Sequence, residues 1–496
     1  MKKAIISIVL TLIVVLFFVG FIEIDNSTND VESDAVVYSV NNIPNNLEKI
    51  TNLSKRDEDF ICATSRGMVV KDNKGNIVPS LASEINVKDD GIEYEFVLRD
   101  NIYWSDGSKI SVEDIRDFFK VLIVSEDEEN ISAMLDIYGA KEFRDSDNKS
   151  DKDLAIIIDD NKLRFRLNRK NENFLDELSK PQYRLRESLS AWSDLKNSYN
   201  NIKYSGEYVI ESIDDESLQL KRNSKESFNG PHLISVVKDE NEELSMAYFE
   251  VGERDIVLDP PNSQLNRLYT EEKLITLPSN ECTYIYMNDS KESVPMATRR
   301  ELYRILYQAS EAYESDNSKR VEVSEGTYFR EDKEDITKLQ TRKVSINNNT
   351  EWKKPDIITL LVEDTDDTRD FCRFINTWFK DKEDIIIRYS LVKKEDLNDS
   401  ELQKRYDIVM FKSDFGSDRK SFYKSMESLY KEEESKILEQ EIASGDNKFS
   451  KIEEMLFSSY KILPIMFSNK NIAVSDKIEN LELDGNNNIS FSNISK

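Results

Sequence analysis

Histidine and cysteine are nearly missing from this chain: it has one of the first, His232, and three of the second in 496 residues. Zinc centres and nucleophile–base triads draw on imidazole or clustered thiols, so both chemistries are disfavoured together. Cys62, Cys282 and Cys372 lie far apart with no C-x-x-C spacing, which suits small buried residues better than a redox pair. No H-E-x-x-H, G-x-S-x-G, G-x-G-x-x-G or P-loop pattern occurs. An enzyme is not expected, and no catalytic residue, metal or cofactor is assigned. Basic residues are also short, 68 against 96 acidic ones, for a net charge of −28. Phosphate backbones would be repelled, which argues against nucleic acid as a partner.

Length and core-forming side chains are plentiful. At 496 residues, 39% hydrophobic and 10% aromatic, the chain can build two or three domains, each with its own core. Lys2 and Lys3 precede an uncharged apolar run at residues 4–22, close to the ~20 residues that span a bilayer. The flanking lysines predict a cytoplasmic N-terminus and an exported body. With no A-x-A-like cleavage site and no lipid-accepting cysteine nearby, the run is read as a membrane anchor. The body is then expected on the extracellular face of the cell membrane; the alternative is secretion after signal cleavage. Residues 23–35, EIDNSTNDVESDA, read as an acidic tether.

Folded patterning begins at VVYSV, residues 36–40, followed by a turn at 72–76 and an alternating strand at 92–98. Ser111 and Asp114 have capping-box spacing for a helix bearing Ile115, Phe118, Phe119 and Leu122 on one face. Residues 145–153, DSDNKSDKD, place acids at alternate positions but lack the central glycine and terminal glutamate of a calcium loop, so they read as solvated. Hairpins are expected around residues 160–161 and 214–216. From residue 295 the texture turns helical. Strand 357–363, helix 368–379 and strands 385–392 and 406–411 then imply a βαβ unit and a partly parallel sheet. Residues 427–461 read as two charged helices broken at Ser444 and Gly445.

The stretch from 67 to 120 resembles the extracellular solute-binding proteins of ABC transporters, family 5, whose members bind oligopeptides, dipeptides or nickel. The likeness rests on G-x-I-V-P-x-L-A at 75–82, D-D-G-x-x-Y-x-F-x-L-R-D at 89–100, W-S-D-G at 104–107 and the helix start Glu113–Asp114. Weaker echoes follow in order at 205–223, 284–288, 406–418 and 463–467. The resemblance implies a mixed α/β, two-lobed periplasmic-binding-protein-like fold with an extra subdomain in the first lobe. Lobe I would hold residues 36–282 and 467–496, and lobe II residues 283–466. It implies peptide binding by lobe closure over an extended ligand, an ABC permease as partner and a monomeric chain. It also places Asp414 as the carboxylate holding the peptide α-ammonium, with Phe411 and Phe415 beside it. The usual W-x-x-D-Y-x-D-P is here F-K-S-D-F-G-S-D. That departure keeps a second reading open, a non-transport receptor that binds a peptide signal or a partner protein.

Overall fold

The computed structural model describes residues 35–50, 53–88, 91–146, 152–330, 336–347, 352–413, 419–444 and 449–496. The apolar run 4–22, tether residues 23–34, the centre of the 145–153 loop, and Asp414 and Phe415 lie outside the described residues. Among the described residues, no helix is long and apolar enough to cross a membrane.

The chain divides into two compact units. The first holds the described residues up to Pro261, with Glu271–Lys273 and Ile472–Lys496; the second holds Asn262–Thr270 and Leu274–Asn471. The main passages at 273/274 and 471/472 differ from the 282/283 and 466/467 divisions read from sequence. Each falls within or beside one long strand, where side-chain patterning gives no break.

In the first unit, β1 (Ala35–Val40) leads to α1 (Lys55–Thr64) and the hairpin of β2 (Val69–Lys71) and β3 (Ile77–Pro79). An inserted subdomain follows, made of β4 (Ala82–Lys88), β5 (Glu93–Leu98), α2 (Val112–Ser125), β6 (Ile156–Asp159) and β7 (Lys162–Arg166). The hairpin of β8 (Tyr208–Ile213) and β9 (Ser217–Arg222) precedes β10 (Leu233–Lys238) and β11 (Ile256–Leu258). β10 and β11 pair in parallel on either side of β1, and β9 and β8 continue the sheet antiparallel.

The subdomain sheet runs β4-β5-β7-β6, antiparallel throughout, and has its own core. Phe119 of α2 meets Phe165 of β7 edge-on at 5.4 Å, and Phe165 packs against Phe96 of β5 at 5.6 Å. The expected capping box is present: Ser111 and Asp114 satisfy each other's backbone N–H groups. Ile115, Phe118, Phe119 and Leu122 are buried as their spacing predicts. The W-S-D-G motif is a turn. Asp106 Oδ1 accepts the Ser108 N–H at 2.8 Å, while Gly107 takes φ +88°, a left-handed conformation that glycine tolerates best.

The second unit contains β12 (Leu274–Met287), α3 (Met296–Asn317), β13 (Val321–Val323), α4 (Ile336–Ile346) and β14 (Ile357–Glu363). It continues through α5 (Asp366–Glu383), β15 (Ile386–Val392), β16 (Ile408–Ser413), α6 (Arg419–Ser425), α7 (Glu432–Ser444), α8 (Ser450–Ser458) and β17 (Ile462–Val474). Strand order here is β15-β14-β16-β12-β17. β14 lies parallel to both β15 and β16, the βαβ unit expected from the strand–helix alternation. α5 buries Phe371, Cys372, Ile375 and Phe379 and starts from a Thr365–Thr368 capping box. The two charged helices are separate, α7 ending at Ser444 and α8 beginning at Ser450.

Candidate functional site

The final residues of β16 lead directly into the segment that the sequence singles out for ligand contact. β12 pairs antiparallel with β16, setting Tyr284 opposite Phe411 and Cys282 opposite Ser413. Strand alternation sends Phe411 and Ser413 to one face and Lys412 to the other. Phe411 is half-buried and stacks on Tyr284 with centroids 5.6 Å apart and planes at 21°. Tyr284 is buried and donates its hydroxyl to the Tyr328 carbonyl at 2.5 Å, and Phe422 of α6 packs against its ring at 4.7 Å. Phe422 meets Phe329, over which the Arg419 guanidinium lies 4.4 Å from the centroid. A continuous aromatic platform thus underlies Phe411. Ser413 Oγ is buried and has no hydrogen-bond partner among the described residues.

On the opposite face, Lys412 meets an ionic network drawn from several elements. Its Nζ lies 3.2 Å from Asp367 Oδ2 at the start of α5 and 3.9 Å from Glu281 Oε2 of β12. Asp367 also receives Arg320 at 2.5 Å, and Lys470 of β17 lies 3.7 Å from Glu281. Burial alone would raise the Asp367 carboxyl, but Lys412 and Arg320 outweigh it and hold the group down at about 2. Glu281 is likewise lowered, burial being overcome by Lys412 and Lys470. Arg330 donates to the Ser279 carbonyl at 2.9 Å and to Asn469 Oδ1 at 3.1 Å. Ionised carboxylates and cations close together on this face can hold a charged polar ligand by charge-assisted hydrogen bonds. They offer no nucleophile paired with a general base.

The cysteines stand apart from this network. Burial pushes the Cys62 and Cys372 thiols up to about 12 and Cys282 further. All three are free. Among the described residues, no group of three or more histidine, cysteine, aspartate or glutamate side chains could hold a metal. Of the residues gathered here, the sequence pattern singles out Phe411 and not Glu281, Asp367, Lys412 or Arg320. These come from four segments, so no local spacing links them.

Residues 76–301 match the family model described as bacterial extracellular solute-binding proteins, family 5 middle. Over this segment, a little under half of its length, the chain is similar to the family 5 solute-binding proteins. The matched segment runs from the β2–β3 hairpin to the first turns of α3, so it includes Glu281 but not Asp367 or Lys412. Family 5 proteins are solute-binding proteins of extracellular or periplasmic location rather than enzymes. The oligopeptide-binding protein SarA of Streptococcus gordonii is 25% identical over 207 residues, 40% of this chain and 28% of that protein. A dipeptide-binding protein of Lactococcus lactis is 42% identical over 48 residues, 10% of this chain and 9% of that protein. The chain thus spans less than a third of the length of either curated relative it matches.

The whole fold has solved counterparts. The Escherichia coli murein tripeptide binding protein MppA superposes with TM-score 0.64 at 15% identity, covering 93% of this chain and 98% of the other. A periplasmic oligopeptide-binding protein of Borrelia burgdorferi gives 0.64 at 17%, covering 93% and 99%. NikA of Brucella suis gives 0.66 at 14%, covering 93% and 99%. At these identities the likeness concerns fold alone, and that fold is the two-lobed, mixed α/β periplasmic binding protein architecture.

Proposed function

We propose that this chain is an extracytoplasmic binding protein that takes up peptides and hands them to an ABC permease. The observation that carries this reading is the family 5 match over residues 76–301. The ionic network around Lys412 at the end of β16 supports it, because a peptide presents charged termini. In this reading the two lobes, residues 36–282 with 467–496 and residues 283–466, close over an extended ligand. Asp414 holds the peptide α-ammonium, Phe411 and Phe415 flank it, the body works as a monomer, and residues 4–22 fix it to the extracellular side of the cell membrane.

A second reading has a specific observation behind it. The cleft motif is here F-K-S-D-F-G-S-D, and its Lys412 is held between Asp367 and Glu281. A lysine so placed favours a narrow ligand class over the broad tolerance of a nutrient receptor, which fits a receptor for one peptide signal or a partner protein. The two readings separate on one experiment, in which the full chain is incubated with a degenerate peptide mixture and the retained species are read by native mass spectrometry. Retention of many sequences supports transport and retention of one or a few supports signalling. Retention of none at any peptide length overturns transport and the peptide-signal form of the second reading, leaving only a partner protein.

A further inference from the structure

Helix α4 is amphipathic in the reverse sense. Its buried positions are Thr337, Thr341 and Val344, while Ile336, Leu339 and Ile346 are 51%, 58% and 79% exposed. Outward placement of the larger apolar side chains marks a face made to be covered by something else. Two backbone contacts extend the face. Arg300 of α3 donates to the Asn347 carbonyl at 2.8 Å, and Thr298 donates to the Lys353 carbonyl at 3.1 Å. They bring the end of α4 and residue 353 against the first turn of α3, where Met296 is 55% exposed.

Charge singles out one occupant. Helix α4 contains Lys338, Arg342 and Lys343 and no acidic residue, in a chain of net charge −28. Lys338 and Arg342 share Glu325 as a counter-ion, but Arg342 remains 64% exposed. Lys353 and Lys354 are exposed nearby. The acidic run at 331–335 precedes the helix, so the basic end is the C-terminal one. Basic side chains interleaved with exposed isoleucine, leucine and methionine suit an anionic lipid surface, with apolar groups entering the acyl boundary and cations meeting headgroups. We infer that the C-terminal half of α4, with Met296, seats this unit on an anionic membrane surface. The contact is additional to peptide binding and does not depend on it.

The test places a nitroxide at position 346 through Ile346→Cys in the full chain, with the three native thiols replaced by alanine or serine. Its accessibility to a water-soluble relaxation agent is compared in vesicles containing phosphatidylglycerol and in vesicles of phosphatidylcholine alone. Insertion of residues 4–22 does not by itself shield a label on the body. The inference expects the label to be shielded only in the anionic vesicles. It also expects Arg342→Glu with Lys343→Glu to abolish that shielding, since each basic group near such a surface is worth about fivefold in affinity. A label equally accessible in both vesicle types overturns it. So does a label already shielded without lipid, or one shielded in proportion to protein concentration, because the cover is then the chain itself or a second copy. Binding of the peptide mixture by the labelled chain shows independently that the body is folded.

Discussion

The ammonium of Lys461, wholly shielded from solvent, donates to Glu434 Oε2 at 2.6 Å and so ties the start of β17 to helix α7. Asp289 lies 3.8 Å from the same nitrogen but has Lys431 at 2.5 Å as a second partner. Glu434 also accepts the Lys431 N–H at 2.6 Å, so its carboxylate is fixed from two sides. Removing Lys461 would leave a buried anion without its nearest cation.

The stability of Lys461→Met should therefore fall by about 3–5 kcal/mol, the usual cost of breaking one side of a buried pair. The double variant Lys461→Met, Glu434→Leu should recover much of that loss, because neither charge is then left buried. Denaturant unfolding of the three chains measures the difference. A single variant as stable as the wild type would show that Glu434 finds a new partner.

Asp367 yields a prediction about acid. Its ordinary carboxyl value of 3.8 is lowered to about 2 in the fold, so its contribution is fully present above pH ~4 and is lost as pH falls from about 4 to about 2. The side chain is 50% exposed, and solvent screening reduces the expected contribution to roughly 1 kcal/mol or less. Asp367→Asn should lower the unfolding midpoint at pH 7 and leave it nearly unchanged at pH 2. An equal effect at both values would mean that packing, not charge, is what the substitution removes.

The outer signature and the ionic network differ in how far sequence alone could reach them. Trp104 to Gly107 and Ser111 with Asp114 act on their own neighbours, one group through a turn and the other through a helix cap, so a few consecutive letters carry the structure. The βαβ unit was legible for a similar reason: period-two and helical patterns alternate without interruption from residue 357 to 392. Glu281, Asp367 and Lys412 have no such local record. Each looks like a solvated charge on its own element, and only the pairing of β12 with β16 and the position of α5 bring them together. The reversed face of α4 was equally hidden, since its apolar spacing alone reads as core. Length hides the unit boundary as well, because β12 and β17 keep strand patterning through it.

The thiols should be slow to react. With Cys62 and Cys372 pushed up to about 12 and Cys282 further, almost no thiolate exists at pH 8. Labelling of the buried Cys282 and Cys372 in the native chain with an iodoacetamide reagent at pH 8 should follow the rate of local or global opening, the half-buried Cys62 should be slow only through its scarce thiolate, and all three positions should label at once in denaturant. Rapid modification of Cys282 or Cys372 in the native protein would identify an accessible thiol and overturn its reading as a small buried residue.

Asp414 carries the sharpest functional prediction. Lys412, two residues earlier, already has Asp367 and Glu281 as counter-ions. A further carboxylate at position 414 is therefore not needed to neutralise it. An incoming α-ammonium bound there would form a charge-assisted bond, which contributes about 1.5–3 kcal/mol. Asp414→Ala should weaken peptides with free N-termini by roughly 10–100-fold in calorimetry, while N-acetylated versions of the same peptides bind both proteins alike. The unfolding midpoint should stay unchanged. Equal loss for free and acetylated peptides would assign Asp414 to shaping the turn after the strand, and unchanged affinity for both would remove it from the site.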